Sequence, residues 1–78
     1  MKPEQEDLEG VLIGKVRKNA SEEIVIRRRR YNGFELIDIR VFTAKGIGTY
    51  KGISFSVRLG PELANLIHTA AQVEKAPC

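Results

Sequence analysis

Four consecutive arginines, Arg27, Arg28, Arg29 and Arg30, are the most chemically loaded feature of the sequence. Adjacent guanidinium groups repel one another and add nothing to folding, so a counter-charge is expected. Arginine's planar fork is suited to phosphate, which it can grip through two parallel hydrogen bonds. Lys15, Arg17, Arg40 and Lys51 add further positive charge within segments that read as strands, and the aromatic residues Tyr31, Phe34 and Tyr50 fall among them. Cations interleaved with rings can hold an unpaired nucleic-acid strand: phosphates meet the cations, and each base stacked on a ring contributes about 1–3 kcal/mol. A charged strand end that discourages aggregation is the plainer alternative for the arginine run. An Asp38–Arg40 ion pair is the plainer alternative for those two residues.

Catalytic constellations are missing from the sequence. His68 is the single histidine and Cys78 the single cysteine, and neither has partners at metal-ligand or nucleophile–base spacing. The one GxG, at Gly46-Ile47-Gly48, does not lead into a helix and so lacks the context of a dinucleotide site. The chain is therefore expected not to be an enzyme and to need no cofactor or metal.

The elements that would position the cations follow from the hydrophobic pattern. Residues 1–9 hold Glu4, Glu6, Asp7 and Glu9 against Lys2 and read as a disordered acidic tail. Of the chain's 13 basic and 10 acidic side chains, 12 and 6 remain beyond that tail, so the body is basic. This favours a polyanionic partner. Residues 10–76 read as one domain. Strands are predicted over 10–18, 22–30, 34–42 and 50–57, with a loop over 43–49. Tyr31-Asn32-Gly33 joins the second and third strands, and Asn-Gly is the strongest short hairpin signal. Strand alternation sends Arg27 and Arg29 to one face and Arg28 and Arg30 to the other. In the third strand Ile37, Ile39 and Val41 share an aliphatic face, while Leu36, Asp38, Arg40 and Phe42 share a mixed one. Ile53, Phe55 and Val57 continue the aliphatic face on the fourth strand. A helix begins near Pro61, with Gly60 as N-cap, and Lys75 and Pro77 mark its end. Its stripe of Leu63, Leu66, Ile67 and Ala70 is expected to cover the aliphatic sheet face, leaving the mixed face open.

The fold class is thus α+β: a four-stranded antiparallel sheet followed by one C-terminal helix. At 78 residues the chain buries a modest share of its surface, and a second copy would supply the rest, so a homodimer is expected. No signal peptide and no membrane span is apparent. Cys78, a lone thiol, fits a reducing interior.

Three segments resemble the positive cofactor four family of transcriptional coactivators. They are Ile13-Gly14-Lys15-Val16-Arg17; Tyr31-Asn32-Gly33 through Leu36-Ile37-Asp38-Ile39-Arg40; and Lys51-Gly52-Ile53-Ser54, followed by Gly60-Pro61-Glu62. The resemblance implies a curved sheet, a homodimer, and concave faces that bind single-stranded or melted DNA with little sequence preference. By position, Lys15 and Arg17 are similar to the family's basic first-strand residues and Tyr31 to its stacking aromatic. Arg40 is similar to its central strand arginine and Lys51 to the lysine opening the fourth strand. Thr43 stands where the family often has tryptophan, and Asn32 and Phe34 stand where lysines are common. The Lys15–Tyr31 segment is longer than in eukaryotic members and carries the arginine run, which is expected to replace the missing charge. The Ser/Lys-rich regulatory region of eukaryotic members is absent, which points to a prokaryotic or phage-type member in the cytoplasm, associated with the nucleoid; a eukaryotic member would be nuclear.

The expected ligand-contacting set is therefore Lys15, Arg17, Arg27, Arg29, Tyr31, Phe34, Arg40, Tyr50 and Lys51. The expected function is sequence-tolerant single-stranded DNA binding in transcription, replication or repair, with contact to the transcription machinery as a further expectation. A protein-interaction module for an acidic partner, and an RNA-binding domain, are the competing expectations.

Overall fold

In a computed structural model, residues 10–74 are described. The acidic tail, the expected helix-ending residues Lys75 and Pro77, and Cys78 lie outside them. The strands are β1 (Val11–Asn19), β2 (Glu22–Tyr31), β3 (Phe34–Thr43) and β4 (Gly48–Ser56). They form one antiparallel sheet in the order β1-β2-β3-β4. A 3-10 turn over Val57–Leu59 leads into the helix α1, Gly60–Gln72. The expected α+β fold, an open four-stranded antiparallel sheet followed by a single helix, is the one observed.

Local chemistry sets the connections. Asn32 and Gly33 take φ of 52° and 81°, the pair of positive values that a type I′ turn requires. Tyr31 and Phe34 close the hairpin as directly opposed residues, and the β2–β3 register runs without a break from there to Glu22 and Thr43. Between β1 and β2, the Asn19 side-chain carbonyl accepts a hydrogen bond from the Ser21 N–H at 2.9 Å and closes the turn. Ser56 Oγ accepts from the Arg58 N–H at 3.4 Å and caps the 3-10 turn. The helix starts at Gly60, one residue earlier than expected, with Leu59 as N-cap and Pro61 in its first turn.

Register settles the two faces. One carries Ile24, Ile26, Ile37, Ile39, Val41, Ile53, Phe55 and Val16, with Arg28, Arg30 and Glu35 at one end. The other carries Leu12, Lys15, Arg17, Glu23, Val25, Arg27, Arg29, Leu36, Asp38, Arg40, Phe42 and Ser54, with Tyr31 and Phe34 at the hairpin end. The division of the arginine run is as the alternation predicts. A bulge in β1 between Leu12 and Gly14 reverses the alternation ahead of it, so Leu12 rather than Val11 shares a face with Lys15.

Two expectations about packing are corrected. The helix does not cover the aliphatic face: none of its residues is buried, and Leu66 and Ile67 are 56% and 60% exposed. β4 passes into the helix through the 3-10 residues Val57–Leu59, and the helix leaves the sheet in the direction that turn sets, without its stripe returning over the strands. Contact with the sheet is made at the helix start, where Gly60 sits against Ile37. Nor is the burial centre on the aliphatic side. Among the described residues only Val25 and Asp38 are buried, and both belong to the mixed face. Arg27 and Arg40 close on Asp38 there, and the Arg27 guanidinium lies over the Phe42 ring.

Candidate nucleic-acid interface

Asp38 organises the mixed face. Its side chain is fully buried. Oδ1 accepts hydrogen bonds from Ser54 Oγ at 2.6 Å and Arg40 Nη2 at 2.8 Å. Oδ2 accepts from Arg27 Nη2 at 3.0 Å and Arg40 Nε at 3.3 Å. Four bonds fill the acceptor capacity of a carboxylate. Burial alone would push the Asp38 carboxyl up, but the hydrogen bonds from Arg40, Ser54 and Arg27 outweigh it and hold the group well below the ordinary carboxylate range. The hydrogen bond to Asp38 in turn raises the Arg40 guanidinium above its usual value.

The two arginines are thereby aimed. Arg40 Nη1 also donates to the Thr49 carbonyl at 3.3 Å. Arg27 places its guanidinium 5.3 Å from the centre of the Phe42 ring, within cation–π range. Gly52 lies opposite Arg40, and an added Cβ there would stand 2.4 Å from the Ile39 carbonyl oxygen, so only glycine lets β4 run this close to β3.

Around this centre the predicted contact residues are distributed unevenly. Lys15, Arg17, Arg27, Arg29 and Arg40 share the face, against the carboxylates of Glu23 and Asp38. Tyr31 and Phe34, 61% and 69% exposed, stand opposite each other at its hairpin end. Tyr50 is almost wholly exposed in a bulged part of β4, where Thr49, Tyr50 and Lys51 stand against the single residue Val41 of β3. Lys51 does not join the group. Its Nζ pairs with Glu22 Oε2 at 3.6 Å, and it borders a hollow of the aliphatic face with Ile24, Val41 and Ile53. Hydrogen bonds from Asn19 and then Lys18 lower the Glu22 carboxyl to about 2. Arg28 and Arg30, on the aliphatic side, both pair with Glu35, at 3.3 and 2.7 Å. The Arg30 hydrogen bond is the main cause of that carboxyl's lowered value.

Sequence reasoning missed Ser54 and Glu23. Glu23 lies on the basic face by the same alternation that assigns Arg27 and Arg29, so the signal was available. Alternation puts Ser54 on the mixed face, but its place opposite Asp38 could not be read, because that register depends on the β3–β4 bulge.

Comparison with known proteins places the chain. The family described as Transcriptional Coactivator p15 (PC4) matches residues 18–66, more than half of the 78-residue chain. The chain belongs to the PC4 family. A solved PC4 homolog from Burkholderia pseudomallei, BPSL1147, is similar in two crystal forms, each 27% identical and covering 81% of this chain. The TM-scores are 0.76 and 0.73, with 90% and 98% of the respective solved chains covered. Among the curated proteins none matches. The PC4 match takes in β2, β3, β4 and the first half of α1, hence the Asp38 centre and both hairpin aromatics, whereas Lys15 and Arg17 lie just ahead of it. Among the described residues no helix is long and apolar enough to cross a membrane.

Proposed function

We propose that the chain binds single-stranded DNA through the basic face of its sheet, with little sequence preference, and acts in transcription, replication or repair as a binding protein and not as a catalyst. One observation carries this: Tyr31 and Phe34 expose their rings side by side at the end of the same face that bears Lys15, Arg17, Arg27, Arg29 and Arg40. Rings open to solvent suit unpaired bases, whose faces a duplex would hide, and the cations suit the phosphates between them. Membership of a family known for single-stranded DNA binding and coactivation supports the same function.

The active form is proposed to be a homodimer. The uncovered helix stripe at Leu66 and Ile67, together with exposed Ile53 and Val16 of the aliphatic face, is apolar surface that a second copy would cover. The proposed location is the cytoplasm, close to the nucleoid.

A salt titration tests the function. Binding to single strands should exceed binding to the matched duplex. The logarithm of the binding constant should fall against log salt with a slope of about −0.7 per phosphate neutralised, or roughly −2 to −3.5 per chain for three to five engaged cations. A flat salt response, or a preference for duplex, would refute it. Matched RNA oligonucleotides in the same titration decide whether the 2′-hydroxyl is tolerated.

A further inference from the structure

Glu23 is out of character on a face built for polyanions. It stands directly opposite Phe42 in the β2–β3 register and borders a hollow of about 270 Å³. Apolar Leu12, Val25 and Phe42 line that hollow together with Lys15 and Arg27. Its side chain is only 16% exposed. The nearest cations, Lys15 Nζ at 3.7 Å and Arg17 Nη2 at 3.8 Å, are beyond hydrogen-bonding distance. Among the described residues no group donates a hydrogen bond to it. Asp38, on the neighbouring strand of the same face, has all its acceptor sites filled; Glu23 keeps its own open.

We propose that Glu23 is a specificity-determining residue: its carboxylate accepts a hydrogen bond from the exocyclic amino group of a base lodged in this hollow. The inference rests on the single-strand-binding function proposed above and adds a base preference to it. The hollow is slightly smaller than the roughly 300–1,000 Å³ of sites for drug-sized ligands, a size for one heterocycle. Its apolar lining accepts a ring, and Lys15 and Arg17 are exposed enough to turn toward phosphates. When they do, Glu23 loses both of its ion-pair partners, and a mostly buried carboxylate without donors is costly. Cytosine, adenine and guanine bring an amino donor. Thymine instead brings carbonyl acceptors on both sides of its one N–H, and the carboxylate repels them. The result is a bias within sequence-tolerant binding, favouring the amino-bearing bases over thymine at one position per chain.

Fluorescence anisotropy with labelled oligo-dC and oligo-dT of equal length, at neutral pH and fixed salt, tests this. The unmodified chain should bind oligo-dC about fivefold more tightly, the lower end of discrimination by base-edge contacts. In Glu23→Gln the amide can donate as well as accept, so the ratio should fall to about one while both affinities rise from the lost negative charge. A ligand-side comparison needs no variant: deoxyadenosine replaced by purine deoxyriboside keeps the ring and removes the amino group, and should weaken binding by a similar factor. Equal binding of oligo-dC and oligo-dT by the unmodified chain overturns the proposal. So does a preference that survives in Glu23→Gln, or indifference to the missing amino group, which decides the matter if the variant does not fold. Failure of every oligonucleotide to bind would overturn the single-strand function itself, and Glu23's role with it.

Discussion

Replacing Asp38 with asparagine should destabilise the fold by about 3 kcal/mol. The side chain is isosteric, so the loss comes from charge and hydrogen bonding alone. Three of the four groups around Asp38 are guanidinium N–H donors, and Ser54 is the one partner able to reverse its bond. The least costly amide orientation therefore puts the NH2 at the Oδ1 position, where Ser54 Oγ can accept from it. Arg40 Nη2 then loses its 2.8 Å acceptor, and Arg27 and Arg40 both lose their anion. Breaking a buried ion pair typically costs about 3–5 kcal/mol. The guanidinium ends retain some access to water, which places this case at the lower end. For a domain of this size about 3 kcal/mol corresponds to a fall in Tm of roughly 12–24 °C.

Thermal unfolding followed by circular dichroism, at one protein concentration so that any contribution of association is held constant, measures the difference. The pH dependence supplies a second signature. The folded Asp38 carboxyl is held below its unfolded value of about 3.9. Below that pH the unfolded chain takes up a proton that the folded chain refuses, so the stabilisation is fully present above about pH 5 and drains away as the pH falls toward the folded value. The gap between the unmodified chain and Asp38→Asn should be constant from about pH 5 to 8 and narrow in acid. A loss under about 1 kcal/mol, or a gap that does not change with pH, would show that Asp38 does not hold this face together.

Three further outcomes follow from the geometry. Tyr31→Ala and Phe34→Ala should each weaken single-strand binding by about 1–3 kcal/mol in a binding titration, with unfolding curves little changed because both rings are exposed. Gly52→Ala should lower stability by more than 1 kcal/mol in urea denaturation, because its Cβ would meet backbone atoms of Ile39 and Arg40, which cannot swing aside as a side chain can. Ile67→Asp should shift the sedimentation coefficient to that of a monomer if helix stripes form the dimer contact; an unchanged coefficient would move the contact elsewhere.

The hairpin explains why so much of the sheet was legible before any coordinates. Asn32-Gly33 demands a two-residue turn, that turn sets Tyr31 opposite Phe34, and an unbroken register carries the alternation back through the whole arginine run. One misplacement lies beyond a bulge. Leu12 is on a face that simple alternation along its strand does not indicate, because a bulge adds a residue without leaving a compositional mark: Ile13 is as β-prone as its neighbours. Lys51 follows the alternation from Ile53 to the aliphatic face, and it was resemblance, not alternation, that put it in the contact set. Glycine at 48 suggested a loop, yet Gly48 begins β4 because the Phe42 ring lies against it and a side chain there would crowd that ring.

The helix was misjudged for a different reason. Periodicity shows that Leu63, Leu66 and Ile67 want an apolar cover, but a stripe does not say whose surface provides it. The preceding link decides: Val57–Leu59 are spent on a 3-10 turn capped by Ser56, so the helix is committed to its direction before the stripe begins. The described residues thus present two uncovered apolar surfaces, the stripe and the aliphatic sheet face, and one charged face whose centre is closed by Arg27 and Arg40 on Asp38. Assembly through the apolar surfaces would leave the charged face untouched. The proposed association of copies and the proposed binding of an unpaired strand would then occupy different surfaces without competing.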